Sequence, residues 1–291
     1  MLMTMKNSRS KGFTLVELMV AVAIGLLITL VVTQAYINGI GTQQAQTGIS
    51  RAQESSRFAF DNIGHALRKA GFRNPRSQGA DFCSNAAPFR LNALNDQSSI
   101  TLSSAEFSSS SGNPTATVLN SSDVFRIRYY GEGLTNSPFT PDGTITDCQG
   151  NAIASNVRVE DTYFIAADSN NDNEPALFCH STNTWAAVAL VPGVESMQLL
   201  FGDDTDLNGV TDRYVQAANV SSMTNVRSAI VSLITRTKET SVVDRSTWTI
   251  NHFDSYSGGS ADAGATFTAP ADGRVRQHAT FTVALRNICP I

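Results

Sequence analysis

Apolar residues are concentrated near the start of the chain, in one run of roughly 20 positions, about the length needed to cross a bilayer. The run extends from Phe13 to Val32, and Glu17 is the one charged residue within it. A short basic stretch precedes it, with Lys6, Arg9 and Lys11. At about 1.5 Å per residue, a helix over this run spans roughly 30 Å, the thickness of a bilayer's hydrocarbon core. The pattern predicts a membrane-spanning helix whose basic end stays in the cytoplasm.

A helical period continues beyond the apolar run. From Thr33 to Ala70 there is no proline, and apolar or small residues recur every three or four positions. These positions are Ile49, Ala52, Ser56, Phe60, Ile63, Leu67 and Ala70. We therefore predict one continuous helix from Phe13 to about Ala70, ended by Gly71 and Pro75. Its second half is amphipathic, and we expect the apolar stripe to pack beneath a sheet.

The rest of the chain has the pattern of β-strands separated by turn residues. The predicted strands are Val124–Tyr130, Thr162–Ala166, Ala176–Cys179, the segment before Pro192, the segment from Val194, Val226–Thr237 and His278–Asn287. Residues 81–117 are rich in Ser, Asn and Ala and are expected to form loops with one or two short strands. The predicted fold is therefore α+β, with the long helix packed on one antiparallel sheet that carries large loop insertions.

Composition and charge limit the possible partners. Charged residues make up 16% of the 291-residue chain and hydrophobic residues 42%, which favours an extracytoplasmic β-rich domain over a cytosolic enzyme. The net charge is −4 overall, and it is −7 beyond residue 12, because the first twelve residues hold three basic side chains and no acidic one. An acidic chain argues against nucleic acid as a main partner, since phosphate binding needs a basic face.

Four cysteines lie beyond the apolar run, at positions 83, 148, 179 and 289. They do not form CxxC pairs, which argues against a zinc site. An even number of exported cysteines predicts two disulfides in an oxidising compartment, and four cysteines allow three pairings. We favour Cys148 with Cys179, closing a local loop, and Cys83 with Cys289, tying down the C-terminus. Free buried thiols are the alternative.

The N-terminal segment fits poorly with an ordinary secretory signal, because the apolar run is long and no A-x-A cleavage site follows it. The segment KGFTLVELMVAVAIG resembles instead the class III signal of type IV pilins and pseudopilins. The resemblance implies cleavage by a prepilin peptidase between Gly12 and Phe13, followed by N-methylation of Phe13. Glu17 then becomes the fifth residue of the mature chain, where that family keeps a glutamate.

Glu17 also stands out on physical grounds, because a carboxylate within hydrocarbon is costly unless it is paired. In a bundle of such helices, the natural partner is the α-amine at Phe13 of a neighbouring subunit. The family resemblance likewise implies that this glutamate recruits and registers subunits during assembly. The alternative is a glutamate near the lipid headgroups that helps the helix to start.

Further segments resemble one subgroup of that family, the PilW-type minor pilins. They are RFAFDNIGHALRKAGFRNP, YFIA, ALFC, LVPGVESMQLLFG, DDTDLNGVTDRYV and TFTVALRN. The resemblance implies a structural protein that enters a type IV pilus with the major pilin and other minor pilins and helps to initiate assembly, near the tip. It also implies an inner-membrane precursor with a periplasmic C-terminal domain. A minor pseudopilin of a type II secretion system is the nearest alternative.

These observations divide the chain into four parts. Residues 1–12 are the leader peptide, 13–33 the transmembrane half of the helix, 34–71 its amphipathic half and 72–291 the extracytoplasmic β-rich head.

One loop contains candidate ligands for calcium. The segment DDTDLNGVTDRY places oxygen side chains at alternate positions around Gly209, as calcium loops do. The candidate ligands are Asp204, Asp206, Asn208 and Asp212. An EF-hand would need a glutamate where Val215 stands, and the same residues also suit a polar turn. If calcium binds, the chain could be a calcium-dependent adhesin displayed on the pilus. Asp168–Glu174 is a second, weaker candidate.

No catalytic motif is evident in the sequence. The four histidines are scattered without an HExxH pattern, and neither a GxSxG elbow, a P-loop nor a dinucleotide fingerprint is present. The histidines are His65, His180, His252 and His278, and we expect them to be surface or packing residues. The chain is therefore expected not to be an enzyme.

Overall fold

The structure is a computed structural model that describes residues 12–73, 94–96, 118–240, 246–253 and 265–286. Within these ranges one long helix, α1 (Leu15–Lys69), precedes all the strands. The chain divides by its contacts into two units, Met1–Gln46 and Thr47–Ile291. The first unit holds the apolar part of α1, and the second holds the rest of α1 together with the β-domain.

The first unit of α1 has the properties of a membrane span. Among the described residues, α1 is the only helix that is long and apolar enough to cross a bilayer. In the described part of the first unit its large apolar side chains are exposed, and Leu15, for example, is 74% exposed. Such a surface is stable only in lipid or against other apolar helices.

In the second unit, α1 contributes one face to the protein core. Its buried residues are Gly48, Ala52, Ser56, Ala59, Ile63, Gly64, Ala66 and Leu67. Most of them are small, so the backbone of the helix approaches the strands closely. A Cβ built on Gly48 would lie only 2.9 Å from Cγ2 of Thr237. Gly71 follows the helix with a φ of 75°, the left-handed conformation that ends helices and that favours glycine.

The strands are β1 (Leu94–Asp96), β2 (Phe125–Tyr130), β3 (Gly133–Leu134), β4 (Ser137–Pro141), β5 (Arg158–Asp168), β6 (Glu174–Ser181), β7 (Ala186–Pro192), β8 (Val194–Asp203), β9 (Arg213–Val215), β10 (Val226–Arg236), β11 (Trp248–Asn251), β12 (Thr266–Ala269) and β13 (Arg276–Ala284). All pairings among them are antiparallel. The predicted fold class, a long N-terminal helix with an antiparallel β-domain, is therefore confirmed.

The strands form two main sheets where the sequence suggested one. The first has the order β1-β2-β5-β6-β7, the second has the order β13-β10-β8-β9, and β3-β4 and β11-β12 are separate hairpins. The change of sheet occurs at Gly193, whose φ is 82° and which follows a proline that has no N–H to donate. The Gly193 N–H donates to Pro175 O and its carbonyl accepts from Arg236 N, so this residue joins both sheets.

A single large hydrophobic cluster connects α1 with both sheets. The helix contributes Ile63 and Leu67, both fully buried, and the two sheets contribute side chains such as Ile165 and Leu199. Every residue of β6 and β8 is buried, so neither strand shows the alternation of a half-exposed strand. In β8 the buried residues include the polar side chains of Glu195, Ser196 and Gln198. The β11-β12 hairpin provides part of the outer cover of the second sheet through Ile250, Phe267 and Ala269, which pack with Ile234 of β10.

Polar contacts fix the end of α1 to the first sheet. Lys69 Nζ donates to Thr146 O at 2.8 Å, lies 3.5 Å from Asp161 Oδ2 and sits 4.0 Å above the ring of Tyr129. The Tyr129 hydroxyl donates to the same Asp161 oxygen. Burial lowers the pKa of Lys69 and raises the pKa of Asp161, and their mutual attraction opposes both shifts. The pair therefore positions the helix end more than it stabilises the fold.

The disulfide between Cys148 and Cys179 confirms one of the favoured pairings. Their Cα atoms are 6.4 Å apart, and the bridge ties the loop after β4 to the centre of β6. Asp147, next to it, accepts hydrogen bonds from the backbone of Gln149 and Asn151 and from the side chain of Asn183. Cys83 and Cys289, the other favoured pair, lie outside the described residues.

Replacing Cys148 and Cys179 together by alanine should destabilise the β-domain by roughly 3 to 4 kcal/mol, because the bridge joins residues 31 positions apart and restricts the unfolded chain. Denaturant unfolding of the full chain in detergent measures this loss, with the Cys83→Ala/Cys289→Ala protein as the matched comparison. An unchanged free energy of unfolding in the first variant would contradict the assignment of a structural role to this disulfide.

Candidate processing and assembly site

The proposed cleavage point lies immediately before the helix. Gly12, Phe13 and Thr14 precede the first helical residue, Leu15, and are not part of regular structure. All three are exposed, and a Cβ built on Gly12 would have no atom within 4 Å. An exposed segment outside regular structure is the form in which a peptidase can bind a chain. The structure therefore presents the Gly12–Phe13 bond in an accessible conformation.

Thr14 and Glu17 form a capping box at the start of α1. Glu17 Oε2 accepts from the backbone N–H of Thr14 and from its hydroxyl, both at 2.9 Å. In return, the Thr14 hydroxyl oxygen accepts from the Glu17 N–H at 3.3 Å. These bonds satisfy backbone N–H groups that a helix leaves unpaired in its first turn. Within one chain, Glu17 thus performs the helix-starting role that the sequence left as an alternative.

The capping role does not exclude pairing with another subunit. Both hydrogen bonds go to Oε2, and the side chain of Glu17 lies on the exposed surface of the helix. A carboxylate carries two oxygens with about four acceptor positions, so a cationic amine can still bind it. The contact between Glu17 and the Phe13 amine of a neighbour therefore stays a prediction, and the geometry accommodates it.

The candidate calcium loop brings three of its four predicted ligands together. One carboxylate oxygen each from Asp204, Asp206 and Asp212 lies within 4.8 Å of the others. Asp204 Oδ2 also accepts from Arg227 Nε at 2.7 Å and from the Gly209 N–H at 2.9 Å. Asp212 Oδ2 accepts from both the N–H and the hydroxyl of Thr205.

The fourth predicted ligand, Asn208, turns its oxygen to a backbone group. Its Oδ1 accepts from the Val210 N–H at 2.8 Å, and its Nδ2 donates to Asp206 Oδ2 at 2.9 Å. Leu207 and Gly209, on either side, have φ values of 62° and 91°. The oxygens therefore hold a tight turn between β8 and β9, which is the alternative that the sequence offered. Calcium binding stays a prediction.

The second acidic loop is tied to cationic side chains. Asp172 Oδ2 lies 2.8 Å from Lys238 Nζ, and Glu174 pairs with Arg236 at 2.8 Å and with Arg274 at 2.9 Å. Glu174 belongs to a partly buried ion network that continues through Arg236 to Glu195. These partners give the acidic residues a structural role that linear sequence could not show.

Two of the four histidines are closer together than the sequence indicated. His252 and His278 both hydrogen-bond to the hydroxyl of Ser232, although 25 residues separate them in the chain. His65 is exposed on α1 and His180 is buried in β6. Only the pairing of β10 with β13 and the packing of β11 on that sheet create the cluster, so spacing in the sequence carried no signal for it.

If the loop binds calcium, millimolar calcium should raise the melting temperature of the full chain in detergent, because a ligand that binds only the folded state stabilises it. The Asp206→Asn and Asp212→Asn proteins should lose that rise, while magnesium at the same concentration serves as the comparison. A melting temperature that calcium leaves unchanged in the wild-type chain eliminates the calcium site and the calcium-dependent adhesin with it.

Two family models match parts of the chain. The family model described as Type IV Pilus-assembly protein W matches residues 162–287, which hold β5 to β13. The model of the prokaryotic N-terminal methylation motif matches residues 7–33, which hold Gly12, Phe13 and the capping box. Together the two models cover just over half of the chain.

Two further comparisons add little to this result. A type IV-like pilin from Thermus thermophilus has a similar structure with a TM-score of 0.45 and 13% sequence identity, over 82% of this chain and 98% of that one. This similarity is too low to bear on the family of the chain. No curated protein matches the chain.

The two family models point to a structural rather than an enzymatic protein, and the methylation motif implies processing by a prepilin peptidase. These matches support a PilW-type minor pilin with the N-terminal motif of a type IV prepilin.

Proposed function

We propose that this protein helps to initiate assembly of a type IV pilus and occupies a place near the tip of the filament. The observation that carries the proposal is the combination at the N-terminus of an accessible Gly12–Phe13 bond, a carboxylate at Glu17 and an uncovered apolar helix behind them. In the proposed topology, the leader faces the cytoplasm and the β-domain faces the periplasm, because the basic residues lie before the span.

The uncovered helix supports the lateral packing of subunits. Its exposed apolar side chains need hydrocarbon around them, and lipid supplies it while the protein is in the inner membrane. When subunits leave the membrane, the helices of the major pilin and other minor pilins provide an equivalent apolar environment. The same surface therefore serves first as an anchor and then as part of the filament core.

The pairing of charges gives assembly its register. Cleavage after Gly12 creates a new amine at Phe13, and in an apolar environment this cation and the Glu17 carboxylate of a neighbour attract strongly. An apolar surface alone allows helices to slide past each other, whereas one charged pair per contact is satisfied at a single offset. Glu17 thus selects the stagger, and the apolar side chains supply most of the attraction.

The size of the β-domain supports the proposed place near the tip. Residues 47–291 form one compact unit with two main sheets and additional hairpins. A repeating shaft leaves each subunit a fixed space, whereas the end of a filament leaves one side open. The large domain therefore favours a capping position, from which the protein can nucleate the addition of major pilin.

Substitutions at Thr14 and Glu17 separate helix capping from subunit pairing. Glu17→Ala and Glu17→Gln proteins should be cleaved and inserted normally, yet their incorporation into pili should be largely lost, because neither supplies a negative charge. Glutamine keeps an oxygen that can accept the capping hydrogen bonds. Failure of the Glu17→Gln protein to assemble would therefore show that the negative charge is required. Thr14→Val removes the capping hydroxyl and keeps the charge, and it should assemble better than either Glu17 variant.

Mass spectrometry of the precursor and of sheared pili measures both steps. The mature wild-type chain should begin with N-methylated Phe13, and Glu17→Ala should show the same N-terminus in the membrane fraction. If Glu17→Gln assembles as well as wild type, the proposed ion pair is wrong. If Thr14→Val fails as completely as Glu17→Ala, the cap rather than the pair explains the requirement.

Deletion of the gene distinguishes the pilus from a secretion system. We expect loss of surface pili and of twitching motility, with secretion of extracellular enzymes unchanged, and recovery on expression of the wild-type chain. Electron microscopy, motility on agar and assays of secreted enzymes give the three measurements. Normal piliation with blocked secretion would instead assign the protein to a type II secretion system as a minor pseudopilin.

A further inference from the structure

The β11-β12 hairpin lies on the outer face of the second main sheet and is held there by two small apolar clusters. The clusters consist of Ile234, Ile250, Phe267 and Ala269, and of Leu200, Ile230 and Phe253. In each cluster the hairpin or the residues that follow β11 cover side chains of β8 or β10. Both clusters are small, so the attachment of the hairpin also depends on the polar contacts that its residues make with the sheet between the two clusters.

His252, directly after β11, makes those contacts. Its Nε2 is 3.0 Å from the hydroxyl of Ser196 on β8, and its Nδ1 is 2.8 Å from the hydroxyl of Ser232 on β10. The Ser232 hydroxyl is also 2.8 Å from Nε2 of His278 on β13. Ser196 and Ser232 are completely buried and His252 is 1% exposed. One side chain of the hairpin therefore joins groups from three strands of the sheet.

This environment suits a neutral imidazole. A neutral ring has one donor and one acceptor nitrogen, and each serine hydroxyl can either donate or accept, so both His252 bonds are satisfied. The backbone N–H of His252 donates to Ala265 O and continues the pairing of the hairpin. Both nitrogens of the ring are thus engaged without a charge.

A protonated His252 would find no compensating charge among the described residues around it. The groups that face it are Ser196 from β8, Ser232 from β10, His278 from β13 and the ring of Phe253 on its own segment. The only other titratable group among them is His278, whose ring centre is 5.7 Å away and whose charge would be of the same sign. Burying an unpaired charge is costly, and exposure of the ring to water removes that cost.

We propose that His252 is an acid-sensitive latch, which holds the β11-β12 hairpin on the sheet when neutral and releases it when protonated. Release uncovers apolar side chains of β8 and β10, among them Leu200, Ile230 and Ile234. The rest of the sheet keeps its strand pairing, because β8, β10 and β13 are paired with one another independently of the hairpin. The proposal does not depend on the function in pilus assembly.

The direction of the pH dependence follows from the titration of His252. Burial, assisted by the field of His278, lowers the pKa of His252 to about 3 from its usual 6.5. Between about pH 3 and pH 6.5, a docked hairpin therefore binds fewer protons than a released one. Docking is at full strength above pH 6.5 and weakens as the pH falls toward 3. Between pH 7.5 and pH 5.0, the equilibrium constant for release should increase about 30-fold.

Hydrogen exchange followed by mass spectrometry on the full chain in detergent tests the latch. After correction for the intrinsic effect of pH, protection of amides in 248–253 and 265–269 should fall about 30-fold from pH 7.5 to pH 5.0. Amides of β8 and β10 should keep their protection. The His252→Gln protein retains hydrogen-bonding groups without titrating, so its hairpin should show no such fall. His65→Gln, an exposed histidine on α1, is the matched control and should behave as wild type.

Fluorescence of Trp248 gives a second measurement on the hairpin. In a Trp185→Phe background it is the only tryptophan, and its emission should shift toward that of a solvated indole as the pH falls. Unchanged hairpin protection across this pH range would overturn the proposal, and so would an equal fall in His252→Gln. Simultaneous loss of protection in β8 and β10 would show global acid unfolding and would also overturn it.

Discussion

The rest of the structure depends on one constraint, which is that a single helix must satisfy two different surroundings. Its first unit exposes apolar side chains that water cannot accommodate, and its second unit is part of the hydrophobic core of the β-domain. The two stretches differ in composition accordingly. Large aliphatic residues dominate the first, whereas small residues such as Ala52, Ser56 and Ala59 line the buried face of the second and allow close approach to the strands.

At the start of this helix, Glu17 caps the first turn and, in the proposed assembly, also pairs with a neighbouring subunit. The capping box gives Glu17 a definite position before any neighbour is present, because Thr14 binds the carboxylate from its backbone and its hydroxyl. A carboxylate that is already ordered loses little conformational freedom when a cation binds it. In the proposed assembly, capping and pairing are therefore successive uses of the same group, and the first reduces the entropic cost of the second.

Much of the fold could be predicted from the sequence, because it depends on local periodicity. The apolar run, the stripe from Ala52 to Leu67 and the main strands each carry a pattern that is visible within about ten residues. The pairing of Cys148 with Cys179 followed from their proximity in the chain. The division into two sheets did not, because it depends on the conformation of Gly193 and on which strands β8 pairs with.

The candidate sites show the same distinction. Gly12, Phe13 and Glu17 lie within one short motif, so the sequence alone could name them as candidates. The histidine cluster joins β10, β13 and the residue after β11, and no spacing in the chain indicates that the three meet. In the candidate calcium loop, the sequence could name the oxygen atoms but not their hydrogen-bond partners. Whether such oxygens bind an ion or hold a turn depends on backbone N–H groups whose directions only the folded loop defines.

Because α1 supplies part of the core, the β-domain cannot be separated from the part of α1 that begins at Thr47. Thr235 of β10 donates to Ala52 O, and Lys69 at the other end of the buried stretch binds Thr146 O. Ile63 and Leu67 lie between these two contacts and are fully buried. A fragment that begins after the helix would expose its sheets on the face that α1 covers, whereas one that begins before Thr47 retains every buried helical residue. The exposed apolar stretch and the stretch that belongs to the core are thus consecutive parts of α1, so a fragment that keeps the β-domain intact has to begin within this helix, before Thr47.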